Sequence, residues 1–341
     1  MPNKSNIEVR RDFIVPTRIS IISRVRKFRP KDFTHEEAIK RKRATCPFCP
    51  GNELMTPPAT LVAKIEHGEI KYYRDKDDKR VSNWFVRIFP NKYPALITAL
   101  PPPTYGYHEV IVETPDHYVE PYLTSVHNYA LVLKVAIRRI NEISKDPQIN
   151  HIILIKNYGP RSGASLEHPH MQLFATSFTL PYILEEILYS NSYFKEKGTC
   201  PYCVLIREEL KSPRLVYENR SFIVVVARAP RTPYETWILP KRHSPSLIDL
   251  DDQEIIDLAD ALQKPLEILY KHLGNPSYNL WFHIAPKAIS ELSSINYHWH
   301  IEIAPVLTTW GGFERGGGVY IIPVSPEEAA MDMKKYLSLI K

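Results

Sequence analysis

Cysteine is scarce in this chain, with four among 341 residues. That excludes a small secreted scaffold built on disulfides, which packs many cysteines into a short chain. Glycine is sparse as well, twelve against thirty prolines, and with twenty tyrosines this points to stiff loops of the kind favoured in thermophilic proteins. No apolar run reaches the ~18 to 20 residues that a membrane helix needs, so no membrane partner is expected. Met1-Pro2-Asn3-Lys4-Ser5 leads into charge rather than an apolar signal core. The expectation is a cytoplasmic protein, where thiols stay reduced and free to bind metal. Acidic residues fall short of basic ones by six, and this net charge of +6 favours an anionic partner: a nucleotide, a sugar phosphate or a nucleic-acid backbone. The remaining composition, 44% hydrophobic and 24% charged, is that of an ordinary soluble globular protein.

What is present is a pattern laid out twice. The first copy runs Cys46, Cys49, His117, then His168-Pro169-His170; the second runs Cys200, Cys203, His243, then His298-Trp299-His300. All four cysteines fall in Cys-Pro-aromatic-Cys pairs. Two thiolates at that spacing with two imidazoles make a tetrahedral Cys2His2 zinc set, structural in type because the protein fills all four positions. Two zinc ions per chain are expected, one on Cys46, Cys49, His117 and His168, the other on Cys200, Cys203, His243 and His298. The alternative, two buried thiol pairs without metal, does not account for the duplicated histidines. One histidine is left over in each copy, His170 and His300.

The surrounding sequence repeats in step with these residues. Apolar positions Ala130, Leu133, Ala136, Ile137 and Ile140 predict an amphipathic helix over Ser125 to Ser144, ended by Asp146-Pro147. A strand at His151 to Lys156 and a polar loop into His168 follow. The second half gives a helix over Asp252 to Leu273, a break at Gly274-Asn275-Pro276, a strand at Tyr278 to His283 and a loop into His298. Strands are also read at Trp84 to Arg87, His108 to Glu113, Leu215 to Val226 and Thr236 to Leu239, and within residues 7–29, whose basic edge could meet phosphate. Both cysteine pairs are read as zinc knuckles, and Pro181 to Lys197 as a helix bridging the halves. The expected fold is α+β: a duplication in which residues 1–180 and 181–341 each form an antiparallel sheet packed by a long helix.

On a strand, side chains repeat every two residues, so His168, His170 and Gln172 would share one face with Cβ atoms about 6 to 7 Å apart. With His168 held by metal, His170 becomes a pre-aimed imidazole. The segment Asn157-Tyr158-Gly159-Pro160-Arg161-Ser162-Gly163-Ala164-Ser165 supplies an amide, small residues and a hydroxyl that can wrap a phosphate. A histidine facing such a nest is a candidate for phosphoryl chemistry. His300 and His283 lack a matching loop and read as interior or supporting histidines.

These residues, together with Phe89-Pro90-Asn91, Thr114-Pro115-Asp116-His117, Gly163 through Gln172, Leu239-Pro240-Lys241-Arg242-His243 and Gly312-Phe313-Glu314, resemble the galactose-1-phosphate uridylyltransferase family of the histidine-triad superfamily, including its ADP-glucose phosphorylase branch. The resemblance spans nearly the whole chain. It implies a duplicated histidine-triad-like fold and a reaction in which His170 attacks the α-phosphorus of a nucleoside diphosphate sugar, expelling a sugar 1-phosphate that a second sugar phosphate replaces. It further implies that Phe48, Phe89 and Asn91 hold the nucleoside, that Arg26, Arg29, Asn157, Gly163, Ala164 and Ser165 line the phosphates, and that Phe313 and Glu314 meet the hexose across a homodimer interface. The second metal could be iron, with His283 or His300 replacing His243 or His298. Uridylyl transfer between UDP-glucose and galactose 1-phosphate is the first expectation, and adenylyl transfer from ADP-glucose to phosphate the second. Lys92 stands where bacterial uridylyltransferases carry an acidic residue, Thr308-Thr309-Trp310 stands where they carry a lysine, and the run from Gly311 to Val324 resembles the phosphorylase branch at least as much.

Two other classes compete. A nucleic-acid-binding zinc protein would use the positive charge, yet its sites close locally, whereas these ligands span 71 residues from Cys46 to His117 alone. A histidine-triad nucleotide hydrolase carries a third histidine where this chain has Gln172, whose amide can donate a hydrogen bond to a phosphoryl oxygen but cannot hand over a proton. The leaving group must depart unassisted, as a sugar phosphate can.

Overall fold

The apolar spacing near residue 130 produces a long helix, α1 (Val126–Ile143), whose first turn is capped by the Ser125 hydroxyl accepting from the Asn128 amide. In the computed structural model, which describes residues 7–28, 43–287 and 296–339, a second long helix, α4 (Asp252–Lys271), packs on α1. Its start is fixed by a capping box between Asp251 and Glu254. Between them come α2 (Pro181–Lys197), with the bounds expected from sequence, and α3 (Pro201–Glu209). Among the described residues no helix is long and apolar enough to cross a membrane.

Both long helices lie on one face of a sheet. Its first-half strands are β3 (Leu61–Glu66), β4 (Glu69–Tyr73), β5 (Val86–Pro90), β6 (Gly106–Val112), β7 (His151–Tyr158) and β8 (His170–Thr176). The second half contributes β9 (Leu215–Glu218), β10 (Phe222–Val226), β11 (Thr236–Pro240), β12 (Tyr278–His283) and β13 (His300–Pro305). The order is β4-β3-β5-β6-β8-β7-β12-β13-β11-β10-β9, with antiparallel pairing throughout. Each half is thus an antiparallel set packed by its own helix, and the two sets run on as one sheet because β7 pairs with β12. A separate sheet joins β1 (Ile7–Arg11) and β2 (Ile19–Ser23) to β14 (Val319–Ile322), which lies parallel to β2.

One apolar core fills the helix side, from Val132, Ala136 and Ile140 of α1 to Leu258, Leu262 and Leu266 of α4. On the opposite face two smaller cores each surround a cysteine pair: Phe48, Val62, Trp84, Phe89 and Val110 about Cys46 and Cys49, and Ile183, Tyr202, Trp237 and Tyr297 about Cys200.

Three local expectations are corrected. Residues 215–226 form a hairpin rather than one strand, because the Asn219 side-chain oxygen accepts from the Ser221 and Phe222 amides at 3.1 and 2.9 Å and turns the chain. The second cysteine pair opens α3 instead of a knuckle, with Cys200 at the cap and Pro201 at the first position, where a missing N–H costs nothing. His168 does not share a strand with His170: it sits at a bend before β8, with Pro169 between them.

Beneath β7, on the helix side, the Lys156 ammonium joins the buried carboxylates of Glu113 and Glu120, the latter at 2.6 Å. Each carboxylate loses its water on folding and is compensated chiefly by this cation. Lys156→Met should therefore destabilise the protein by about 3 to 5 kcal/mol, read as a lower urea midpoint at unchanged slope.

Candidate active site and metal sites

The chain turns tightly at the first cysteine pair, with the Cys49 amide donating to the Cys46 carbonyl at 3.2 Å and the Asn52 side chain donating to the same carbonyl at 2.8 Å. This turn brings both thiols to two imidazoles. Cys49 Sγ lies 3.3 Å from His117 Nδ1 and 3.5 Å from His168 Nδ1, and Cys46 Sγ lies 3.7 Å from His168 Nδ1. The far nitrogen of His168 donates to the Thr114 carbonyl at 2.8 Å, which leaves Nδ1 as its lone-pair end. In the second half Cys203 Sγ stands 3.4 Å from His243 Nδ1 and 3.9 Å from His298 Nδ1, and His298 Nε2 meets the Pro240 carbonyl at 2.7 Å. In each set the four donor atoms lie within 4.8 Å of one another. Two thiols and two imidazoles so gathered, with a ring turned toward the thiols by a carbonyl behind it, fit a tetrahedral metal such as zinc.

His170 opens β8 directly after the first set. Its Nδ1 donates to the His168 carbonyl at 2.8 Å, so Nε2 carries the lone pair. Burial pushes its pKa down to about 4, against the opposing pull of that hydrogen bond, and the ring is neutral near pH 7. Phe48 packs edge-on against it at 5.2 Å and against Phe89 at 5.6 Å. The cysteine turn therefore places an aromatic wall beside the histidine as well as gathering the thiols.

Gln172 follows on the same face, its side-chain oxygen 2.8 Å from His108 Nε2. Asn157, at the end of β7, is bonded through its oxygen to the Asn279 amide at 2.8 Å. The loop beyond is shaped by two glycines. Gly159 has φ +78° and its absent Cβ would fall 2.4 Å from the Ser277 hydroxyl, and Gly163 closes the turn at φ +87°. Gly163 and Ser165 are exposed and Ala164 is half-buried, forming a lip that leads into His168.

The structure thus gathers His170, Gln172, Asn157, Phe48, Phe89 and Asn91 around one face. The other expected residues come from other parts of the chain. Arg26 is exposed in a short 3-10 turn after β2, and Arg29 lies outside the described residues. Phe313 and Glu314 sit in the short helix Gly312–Gly317 before β14, where Glu314 caps the Gly311 amide at 2.8 Å. Among the described residues no hydrogen bond or ring contact joins Arg26, Phe313 or Glu314 to His170. Trp310 and Tyr320 pack on each other at 5.1 Å.

His283 and His300 stand apart from the second cysteine set, in a buried cluster with Glu186 and Glu302. His283 Nδ1 lies 3.0 Å from Glu186, Tyr297 donates to the same carboxylate at 2.9 Å, and Glu302 is paired with Arg231 and, at 3.1 Å, with Arg18. Sequence reading missed Glu186, Glu302, His108 and Asn279. His108 and Asn279 lie in no motif, although their strand parity puts each on the face of a residue already singled out.

A profile described as "Galactose-1-phosphate uridyl transferase, C-terminal domain" matches residues 156–309, and another, "Domain of unknown function (DUF4931) N-terminal domain", matches residues 88–177. The chain is 34% identical to ADP-glucose phosphorylase of Arabidopsis thaliana over 96% of its own length and 92% of that protein. It is 30% identical to galactose-1-phosphate uridylyltransferase of Thermotoga maritima, over 72% of this chain and 83% of that one. The crystal structure of an Arabidopsis thaliana ADP-glucose phosphorylase with bound ADP-glucose superposes with a TM-score of 0.83 at 31% identity, covering 96% of this chain and 99% of the other. A solved uridylyltransferase gives a TM-score of 0.72 at 26% identity, covering 98% and 99%. The chain belongs to the galactose-1-phosphate uridylyltransferase family and is a nucleotidyltransferase of that family.

Metal-replete protein should hold two zinc ions per chain by elemental analysis, and a single tight ion would remove the second set. Structural zinc contributes roughly 10 kcal/mol in small folds, so Cys46→Ser should lower the thermal midpoint and lose one metal equivalent before any change in chemistry is measurable.

Proposed function

We propose that this enzyme transfers a nucleoside monophosphate from a nucleotide sugar through a covalent nucleotidyl-histidine at His170. The observation that carries this reading is the tie from His170 Nδ1 to the His168 carbonyl, 2.8 Å long, in a buried setting. It fixes the tautomer and leaves Nε2 as a neutral nucleophile aimed from a rigid base. Nε2 attacks the α-phosphorus, a P–N bond forms, and the bond to the bridging oxygen breaks. The sugar 1-phosphate leaves with that electron pair and needs no proton. An acceptor oxygen then attacks the same phosphorus and His170 departs neutral. Amide protons of Gln172 and Asn157 donate to the nonbridging oxygens.

The donor we favour is ADP-glucose and the acceptor orthophosphate, giving ADP and glucose 1-phosphate. The likeness to an ADP-glucose phosphorylase along 96% of the chain supports this choice over the first sequence expectation. Uridylyl exchange between UDP-glucose and galactose 1-phosphate is the second reading, favoured by the family match at residues 156–309. Phe313, which is 54% exposed, Glu314 and Arg26 make no hydrogen bond or ring contact with His170 among the described residues, in keeping with a homodimer in which they serve the partner's site.

Incubation with nucleotide sugar and no acceptor should leave one nucleoside monophosphate per active site, labile to acid and stable to mild base. His170→Ala should form no adduct, and an adduct mapped to His300 would move the active site to the other half. Product identification over a panel of nucleotide sugars decides the base: turnover of ADP-glucose with phosphate, and none of UDP-sugars, is expected. Gln172→His restores a proton donor and should slow transfer while raising hydrolysis of the adduct.

A further inference from the structure

Two side-chain amides share the strand face of His170. Gln172 lies two residues along β8, and Asn157 lies on β7. The β7–β8 register pairs Ile155 with Gln172, and its continuation sets Asn157 across from His170. An amide can turn either end toward a ligand, and an anion is attracted by the –NH2 end alone. Which end faces the site is decided here by neighbours whose own polarity cannot change.

At Gln172 the decision begins with a backbone N–H, which can only donate. The Ala95 amide lies 3.1 Å from His108 Nδ1, so Nδ1 accepts and the ring proton resides on Nε2. That Nε2 is 2.8 Å from the Gln172 oxygen and donates to it, which turns the Gln172 –NH2 away from the ring and toward the site. Stacking on Phe174 at 4.0 Å and 22° holds the imidazole plane, and burial keeps its pKa below the ordinary value, preserving the neutral form. The Asn91 –NH2 lies 3.1 Å from this nitrogen, but the Asn91 oxygen is taken by the Tyr93 amide at 2.8 Å, so toward Nε2 Asn91 offers a second donor and no acceptor. The Gln172 oxygen is therefore the acceptor that the ring proton meets.

At Asn157 the decision begins with a carbonyl, which can only accept. The Ser162 carbonyl lies 2.9 Å from Asn279 Nδ2, which fixes that nitrogen's side of the Asn279 amide. The same nitrogen donates to the Asn157 oxygen at 2.8 Å, leaving the Asn157 –NH2 for a ligand. Asn279 comes from β12, in the second half of the chain, and reaches Asn157 because the two are register partners.

We propose that His108 and Asn279 are positioning residues that preset both amides, making Gln172 and Asn157 a donor-only cradle for the phosphoryl group transferred by His170. The inference rests on the reading of His170 as nucleophile. It assigns the second half of the duplication a part, through Asn157, in the chemistry of the first.

The test compares variants that keep or remove one polarity. His108→Asn is too short to donate to Gln172, whereas His108→Gln keeps an N–H at the distance of Nε2. Asn279→Asp puts an acceptor against the Asn157 oxygen. For adduct formation from ADP-glucose, His108→Asn and Asn279→Asp should each lower kcat roughly tenfold to a hundredfold with little change in KM, the pattern of an interaction realised in the transition state. His108→Gln should recover most of the loss. In a Gln172→Ala background His108→Asn should add nothing further. Nitrogen-15 spectra of the wild-type enzyme should show His108 protonated at Nε2. A proton on Nδ1, or an undiminished effect of His108→Asn without Gln172, overturns the proposal. If the wild type forms no adduct with any nucleotide sugar, the reading of His170 fails, and the His108 tautomer still decides whether the cradle is preset.

Discussion

The pairing of β7 with β12 is the constraint on which the molecule depends. Each half ends its own antiparallel set with an unpaired strand, and an open edge exposes a row of backbone donors and acceptors. Joining edge to edge, from Tyr278 opposite Tyr158 to Phe282 opposite Leu154, satisfies both rows and creates one sheet. The helix side then becomes one core, because α1 and α4 are brought side by side above the seam. On the other face the seam sets Asn279 beside Asn157, which links the second half to the surroundings of His170, the proposed nucleophile.

Duplication supplied the same frame twice, and the frames have diverged in chemistry. Phe48 stands 5.2 Å from His170, and Tyr202 stands 5.2 Å from His300, at matching places in the two Cys-Pro-aromatic-Cys turns. Two residues beyond the histidine the first half has a neutral amide, Gln172, and the second has Glu302. A carboxylate there repels a phosphoryl group, and Glu302 is already committed to Arg18 and Arg231. His300 is fully buried, packed between Tyr202, Trp237 and His283. Where the first half carries the proposed phosphoryl site, the second carries a buried ion-pair network. Replacing one such buried charge would strand the rest, so the network stabilises the second half by mutual compensation.

The two cysteine sets occupy comparable places, each at the heart of a small apolar core on the open face of the sheet. These cores bury few side chains compared with the helix side and hold long loops. A tetrahedral metal in the first set would tie the Cys46 turn, the loop carrying His117 and the bend before β8 into one body, and the carbonyl of that bend is what orients His170. Scaffold and proposed nucleophile would therefore be coupled through a short stretch of backbone.

Much of this was legible in sequence where the signal is local. The apolar period from Ala130 to Ile140 is enough for α1, since one buried stripe on a helix requires it. Pro181 to Lys197 and Tyr278 to His283 match the observed α2 and β12. The cysteine pairs and His-x-His spacings marked both candidate metal sets, because few side chains offer such ligands and two thiols at that spacing converge in one turn. Other features required the folded chain. The Asn219 turn within residues 215–226 is a side-chain bond that apolar content masks, and Pro169 displaced His168 from the strand that spacing alone had assigned to it. The seam between β7 and β12 joins strands more than a hundred residues apart in sequence, and no local pattern names the mate of a strand edge. His108, Asn279, Glu186 and Glu302 each read as an unremarkable residue on a strand or helix. Sequence determined which chemical groups the chain owns and which face each one takes along its own element. Tertiary structure decided which groups face one another and with what polarity, because hydrogen bonds between distant strands depend on a register that exists only once the sheet has formed.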